Sequence, residues 1–286
     1  MDKYKRKYYD LIKKQKGGRL IREKNNYYCT VGTIIIHDNN IVLFGEQKGT
    51  NKEYIYSFPA GGCETDQSLA LNAARECREE TANLLVISHN IFTVSEESNN
   101  FVDVEAFDEY CTDAEKHKSY IRCYCIRIKN FNPADYESNV NIIAENINKM
   151  DDNKNDTGIL EAWKETTKVI EIPLDVFTND KLSHVDTEKL NKKNNSFDVG
   201  ATFSINNQNI DVSYRAMICI KKLLEKGIIK NILKNNAIDE SNPYLRTTVV
   251  DSDKNSFLIG TNSNIIISVD EGFKHNDMLV TLKPNI

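Results

Sequence analysis

The sequence lacks any apolar run long enough to cross a membrane. A transmembrane helix needs roughly 20 consecutive apolar residues, and no segment of the 286 residues approaches that length. The first residues, MDKYKRKYYD, also lack the apolar core of a secretory signal peptide. With 40% apolar residues, the chain can bury one good core and a small second unit. We therefore expect a soluble, intracellular protein of the cytoplasm.

Cysteine patterns typical of a metal site are also missing. The seven cysteines are odd in number and lack paired metal-ligand spacing. Cys123 and Cys125 fall on a predicted strand, where alternate residues share a face. We interpret them as reduced core residues, and a zinc site at this pair is the alternative.

Negative charge predominates in the chain as a whole but not at its start. The net charge is −5, yet residues 1–24 hold ten Lys or Arg and only three Asp or Glu. Tyr4, Tyr8 and Tyr9 lie among these basic residues. One interpretation is a solvated amphipathic helix whose tyrosines pack on the domain. The other is an arm, residues 1–25, that binds RNA, because such segments neutralise phosphates and stack bases.

The most informative segment is residues 61–80, GGCETDQSLALNAARECREE. If residues 68–81 form a helix, Glu76, Glu79 and Glu80 lie within roughly a 100° arc, because positions i, i+3 and i+4 share a face. Three carboxylates so close repel one another unless a cation lies between them. Their hard oxygen atoms favour Mg²⁺ or Mn²⁺. The segment therefore predicts a divalent-metal site that acts on pyrophosphate.

The same segment resembles the Nudix box, which reads Gly-x5-Glu-x7-Arg-Glu-apolar-x-Glu-Glu-x-Gly-apolar. The positions that match are Gly61, Arg75, Glu76, Cys77, Glu79 and Glu80. The positions that depart are Gln67, Ala82 and Asn83. The chain is thus similar to Nudix hydrolases, and the resemblance implies an α/β fold, an α/β/α sandwich around a mixed sheet.

Two of the departures carry structural expectations. In the family the first box glutamate braces the loop by pairing with the box arginine, so Gln67 should make a weaker, neutral hydrogen bond to Arg75. Ala82 occupies a helix-end position where the family uses glycine for its tolerance of positive φ. Alanine there costs roughly 1 kcal/mol or requires a different cap.

The resemblance also implies roles for individual residues. The metal ligands would be Glu76, Glu79, Glu80 and the backbone carbonyl of Ala60. The catalytic residues would be Glu80, Arg75 as an orienting group, and a further glutamate just upstream of a late strand, either Glu161 or Glu165. Of these two, Glu165 is favoured. The substrate-binding residues would be Gly61, Gly62, Gln67 and Lys48.

The predicted elements around the box follow the order of a Nudix fold. We expect a Nudix hydrolase domain over residues 26–235, an insertion or lid at about 130–158 with an amphipathic stretch at 140–150, and a small C-terminal β appendage over 236–286. Strands are predicted at 27–36, 41–44, 54–58, 84–94, 119–128 and 169–173. Residues 187–211 are interpreted as a loop with a short strand, and 211–227 as the last helix of the sandwich.

Three functions fit the resemblance. The first is Mg²⁺-dependent hydrolysis of the phosphoanhydride in a nucleoside diphosphate linked to another moiety, a nucleotide pyrophosphatase activity. The second is mRNA decapping, which the basic arm, the insertion and the C-terminal region favour. The third is a non-catalytic nucleotide sensor, suggested only by Gln67 and Ala82. Because Nudix enzymes frequently dimerise, the resemblance also implies a homodimer.

Overall fold

The computed structural model places most of the predicted domain in a single mixed sheet with helices on both faces. It describes residues 21–23, 26–48, 53–64, 67–82, 84–85, 87–106, 119–129, 131–149, 166–185, 190, 198–234, 248–250, 256–258, 265–269 and 280–284. In this part of the chain, no helix is both long enough and apolar enough to span a bilayer.

Ten strands of the described part of the chain form the main sheet. They are β1 (Ile21–Glu23), β2 (Asn26–His37), β3 (Asn40–Lys48), β4 (Glu53–Ser57), β5 (Ala60–Gly62), β6 (Phe101–Ala106), β7 (Ser119–Ile128), β8 (Thr166–Pro173), β9 (Val199–Ile205) and β10 (Gln208–Ser213). The order along the sheet is β6-β7-β2-β3-β4-β10-β9, with β1 and β5 paired to β2 and β8 paired to β3. Two pairs are parallel, β2 with β7 and β4 with β10, so the sheet is mixed as expected.

Among the residues that the structure describes, six α-helices and one 3-10 turn accompany the sheet. The helices are α1 (Leu69–Glu80), α2 (His89–Glu97), α3 (Pro133–Lys149), α4 (Asn179–Leu182), α5 (Tyr214–Glu225) and α6 (Ile228–Lys234), and the 3-10 turn is Leu174–Val176. Beyond them, β11 (Thr248–Val250) pairs with β12 (Ser256–Leu258), and β13 (Ile265–Val269) pairs with β14 (Val280–Pro284). The predicted strand character of the C-terminal region is thus confirmed.

Alternating side chains of the central strands build one apolar core on each face of the sheet. In β2, Val31 and Ile35 join the core that contains the buried side of α1, whereas Ile34 and Ile36 join the core that contains α5. This alternation follows from the two-residue period of a strand. Cys123 and Cys125 of β7 are buried free thiols on the α5 side, which confirms that they are core residues. The α/β/α arrangement is therefore confirmed.

Helix α1 begins and ends where the sequence predicts. The Ser68 side chain accepts a hydrogen bond from the Leu71 backbone N–H at 3.1 Å and caps the first turn. After the cap residue Thr81, Ala82 adopts φ 51° with its side chain fully buried. The helix therefore ends in the left-handed conformation that favours glycine, with alanine in its place.

The predicted strand at 84–94 is wrong. Its first part is irregular and buries Leu84 and Leu85, and its second part belongs to α2, which Ser88 caps by accepting from the Asn90 N–H at 3.3 Å. Phe92 points from this helix into the core and is fully buried. The β-branched residues here suggested a strand, but a serine cap and packing against α1 override that local preference.

Three other boundaries differ from the sequence-based expectation. Residues 199–213 form the hairpin of β9 and β10 rather than a loop with one short strand. Helix α5 begins after Ser213, whose hydroxyl caps it, and not at Asp211, which belongs to β10. Helix α3 begins at Pro133, ahead of the predicted stretch at 140–150, because Tyr136 and Val140 pack into the core on the α1 side.

A buried arginine of β7 binds side chains of three other strands near one end of the sheet. Arg122 of β7 donates to Asp103 at 3.0 Å, to Glu23 at 2.7 Å and to the Tyr28 hydroxyl at 2.8 Å. Its guanidinium carbon lies 4.5 Å from the centre of the Tyr28 ring and 4.1 Å from that of Phe101. The carboxylates thus satisfy a charge that burial would otherwise penalise.

We expect Arg122→Met to lower the free energy of unfolding by about 1.5–3 kcal/mol, because the partly buried carboxylates of Asp103 and Glu23 lose their charged hydrogen-bond donor. Urea denaturation monitored by circular dichroism measures this change. The control is Lys230→Met, which replaces an exposed cation on α6 and should change stability by less than about 0.5 kcal/mol. Equal stabilities of the two variants would contradict this account of the cluster.

Candidate functional site

The candidate site lies where β5 leaves the sheet and the chain turns into α1. Ala60, Gly61 and Gly62 pair with Gly32, Val31 and Thr30 of β2, which fixes the glycine loop against the central strand. Helix α1 packs across the same face of the sheet. The loop and the helix carry all of the box residues that the structure describes.

Arg75 joins the helix to the loop. Its guanidinium donates to the Gly62 carbonyl at 2.8 Å and lies 2.5 Å from Glu76 and 2.8 Å from Glu79. Burial alone would lower the pKa of Arg75, but the carboxylates of Glu76 and Glu79 raise it above its ordinary value. Arg75 is therefore a permanent cation that contacts both parts of the site, as an orienting residue would.

Glu76 is the most buried carboxylate of the site, with 5% of the residue exposed. Burial raises its pKa to about 7, and Arg75 opposes that rise. The carboxylate packs directly on Gly61, so a Cβ atom at that position would overlap it. Glycine is therefore required at position 61 by the close approach of Glu76, and not by its backbone conformation.

Two residues that the sequence-based assignment missed hold the loop. The Asn72 side chain accepts from the Glu64 N–H at 2.8 Å and donates to the Ser68 carbonyl at 3.0 Å. The Glu64 carboxylate accepts from Gln67 at 2.8 Å and lies 3.9 Å from the Arg75 Nε atom. Gln67 and Arg75 thus share Glu64 as a partner. Asn72 could have been recognised in the sequence, because it is a polar residue among the apolar residues of α1.

Glu79 and Glu80 occupy the last turn of α1 and are partly exposed. Burial raises the pKa of Glu79, which Arg75 partly opposes. At Glu80 the backbone carbonyl accepts a hydrogen bond from the Thr166 hydroxyl, which attaches the end of α1 to the start of β8. The Glu80 end of the helix is thus fixed beside the residues that follow position 165.

The remaining predicted site residues are placed only in part. Ala60 is paired within β5, and Lys48 lies at the end of β3 opposite Glu53, with its side chain outside the described set. Glu161 and Glu165 fall within 150–165, outside the described residues. Their roles, like the ligand roles of the box glutamates, stay predictions.

The chemistry of the site suits a divalent cation. Glu64, Glu76 and Glu79 surround a single guanidinium, so three carboxylates face one positive charge. Carboxylate oxygens are the ligands that Mg²⁺ and Mn²⁺ prefer. Among the described residues, no three acidic, His or Cys side chains already stand in a ligating arrangement. The carboxylates of Glu76 and Glu79 instead form ion pairs with Arg75.

Comparison with known proteins identifies the domain. Residues 28–131 match the family model of the NUDIX domain. No curated protein matches the sequence.

Several solved structures are similar to the chain at low identity. An ADP compounds hydrolase is 11% identical over 71% of this chain and 74% of its own, with a TM-score of 0.34. A bifunctional NMN adenylyltransferase/ADP ribose pyrophosphatase from Francisella tularensis, complexed with AMP and an Mn ion, is 19% identical over 45% of this chain and 34% of its own, with a TM-score of 0.25. A MutT protein from Methanosarcina mazei Go1 is 14% identical over 55% and 83%, with a TM-score of 0.29.

The family assignment rests on the domain match, which includes the whole of the glycine loop and α1. Residues 28–131 of this chain match the NUDIX domain, and this segment contains the candidate site.

Proposed function

We propose that the protein hydrolyses the phosphoanhydride bond of a nucleoside diphosphate linked to another moiety, with Mg²⁺ or Mn²⁺ as cofactor. The observation that carries this proposal is the arrangement of Glu76 and Glu79 around Arg75, directly against the glycine loop. Burial penalises a charged carboxylate, so Glu76 lowers the stability of the fold. A residue with such a cost is expected where it has a functional role.

The cofactor and the protein would have different roles in the reaction. A bound divalent cation would neutralise charge on the diphosphate and make water a better nucleophile. Glu76, Glu79 and Glu80 would hold it, with the Ala60 carbonyl. Arg75 would keep the glycine loop at a fixed distance from the helix, because its guanidinium binds both.

A carboxylate must accept the proton of the attacking water. As the water oxygen bonds to phosphorus, the bond from phosphorus to the bridging oxygen breaks, and the anhydride yields two phosphate products. Glu80 is one candidate base. Glu165 is the other, because in the sequence it directly precedes Thr166, whose hydroxyl donates to the Glu80 carbonyl. Glu161 lies four residues before Glu165 in the sequence, so Glu165 is favoured.

The sensor alternative is less well supported than an enzyme. It depends on Gln67 and Ala82, and both positions are accommodated: Gln67 bonds to Glu64, and Ala82 takes the left-handed conformation. The carboxylates that a metal would need are all present in the sequence. Decapping of RNA remains the second enzymatic candidate, and the basic composition of residues 1–25 favours it.

We expect Glu80→Gln to lower turnover by at least about 10²-fold, as loss of a positioned acid or base does. The assay is Mg²⁺-dependent phosphate release from dinucleoside polyphosphates, nucleotide sugars, nucleoside triphosphates and capped RNA. Glu97→Gln, at an exposed position in α2, is the matched control and should retain the wild-type rate. Equal rates for both variants on every substrate would defeat the assignment.

We expect Gly61→Ala to weaken Mn²⁺ binding by at least about tenfold, because the added methyl group displaces the Glu76 carboxylate and such overpacking costs about 1–3 kcal/mol. Gly62→Ala is the control, since nothing lies within 4 Å of a Cβ atom built there. Isothermal titration calorimetry with MnCl₂ compares the two. Indistinguishable isotherms would show that Glu76 does not need the space above Gly61.

The raised pKa of Glu76 predicts a pH dependence of stability without metal. Between about pH 4.5 and 7 the folded state keeps a proton that the unfolded state has lost. The free energy of unfolding should therefore fall as pH rises through this window, by up to about 1.4 kcal/mol per pH unit from this group. Glu76→Gln removes this contribution.

Urea denaturation in EDTA at pH 5 and pH 8 measures the difference. The wild type should lose more stability between the two pH values than Glu76→Gln does, and added Mn²⁺ should reduce the loss in the wild type. Parallel pH profiles for the two proteins would contradict the assignment of the titrating group.

A further inference from the structure

Strand β8 begins with an irregularity in its pairing to β3. Lys168 pairs with Gly45, and Thr166 pairs with Glu46. Thr167 is therefore one extra residue on β8, which makes this end of the strand a β-bulge. Gly45 and Glu46 are neighbours on β3, so their side chains face opposite ways. Because of the bulge, Thr166 and Lys168 also lie on opposite faces of the sheet, whereas residues two apart on a regular strand share a face.

The face on which Thr166 lies is the one that carries α1. Its partner Glu46 shares a face with Phe44, which belongs to the core on the α1 side. There the Thr166 side chain is buried, and its hydroxyl donates to the Glu80 carbonyl. Bulges often redirect a side chain next to an active site. Without this bulge, Thr166 would lie on the other face of the sheet, away from Glu80.

The carbonyl that Thr166 binds belongs to the last turn of α1. The final four carbonyls of a helix have no partner within the helix, so other groups must satisfy them. The Glu79 carbonyl accepts from the Ala82 N–H at 3.2 Å, within the same segment of chain. The Glu80 carbonyl accepts instead from a residue 86 positions away in the sequence. The end of α1 at Glu80 is therefore held by β8.

The position of Thr166 is itself fixed by α3. The buried Tyr136 hydroxyl donates to the Thr166 carbonyl at 3.4 Å. The Glu137 carboxylate accepts from the Val169 N–H at 3.1 Å and from Lys168 at 2.9 Å. These contacts join α3 to the first residues of β8. Helix α3 therefore supports the strand end that holds Glu80.

We propose, on the basis of the function proposed above, that Thr166 is a positioning residue for the hydrolysis and acts by holding Glu80. Its hydroxyl fixes the backbone of Glu80, and the direction of that backbone sets where the Glu80 carboxylate points. A displacement of about 1 Å in a reacting group can cost about 10²-fold in rate. A hydrogen bond that only stabilised the fold would leave the turnover of the folded protein unchanged.

The test compares two substitutions of the same threonine in the full chain. Thr166→Val keeps the branched shape of the side chain and removes its hydroxyl, whereas Thr166→Ser keeps the hydroxyl. The matched control is Thr33→Val, at a fully buried threonine of β2 whose hydroxyl has no hydrogen-bond partner in the described part of the chain. Urea denaturation establishes that each variant is folded, and Thr166→Ala replaces Thr166→Val if valine prevents folding.

We expect Thr166→Val to lower kcat by at least about tenfold on the substrate that the wild type hydrolyses fastest, with KM changed by less than about twofold. Isothermal titration with MnCl₂ and no substrate should show binding weakened by at least about threefold, because a group that supports a metal ligand is lost. Thr166→Ser should restore both values to within about twofold of the wild type. Thr33→Val should match the wild type to within about twofold, since no hydrogen bond is lost there.

A double-mutant cycle separates action through Glu80 from a general structural effect. If the Thr166 hydroxyl acts by holding the Glu80 carboxylate, its removal costs little once that carboxylate is absent, because residues that act as a unit are not additive. Adding Thr166→Val to Glu80→Gln should therefore lower the remaining rate by less than about twofold.

Wild-type values of kcat and Mn²⁺ affinity in Thr166→Val overturn the proposal. So does a loss of rate in Thr166→Val that persists in full in the Glu80→Gln background. Failure of the proposed function is a separate result, since it appears as the absence of hydrolysis by the wild type on every substrate. In that case the Mn²⁺ titrations of the wild type, Thr166→Val and Thr166→Ser decide by themselves whether Thr166 positions Glu80.

Discussion

The interaction on which the site depends is the contact of one guanidinium with two carboxylates and a loop carbonyl. Arg75 cannot lose its charge, and its planar group presents donors in several directions. It therefore compensates Glu76 and Glu79 while it binds the Gly62 carbonyl. Without this cation the acidic residues of α1 would repel one another in a buried setting. The loop and the helix can lie together because Arg75 lies between them.

Strand β2 supplies the second constraint. Strand β7 pairs along one edge of β2. Strands β1, β5 and β3 therefore pair one after another along its other edge. These pairings bring segments that are distant in the sequence close together, including β1 and the glycine loop. The position of β1 beside the glycine loop is thus a result of strand pairing and could not be predicted from local sequence.

The parts predicted well from sequence are those that local rules determine. Helix α1 has a serine cap and apolar spacing of the correct period, and β7 has alternating faces, so both were predicted within a residue. The strand expected at 84–94 failed because burial of Phe92 on α2 decides that segment. Hairpin β9–β10 was missed because its pairing with β4 is a long-range contact. The loop contacts of Glu64 and Asn72 are equally invisible before the chain folds.

The left-handed turn at Ala82 has a consequence for how tolerant the box is to change. Its positive φ is less favourable for alanine than for glycine by roughly 1 kcal/mol, and its fully buried methyl group recovers about 0.8 kcal/mol. The two contributions nearly cancel. Alanine and glycine are therefore close to interchangeable at this position, and drift between them during evolution would leave the helix end, and the carboxylates before it, undisturbed.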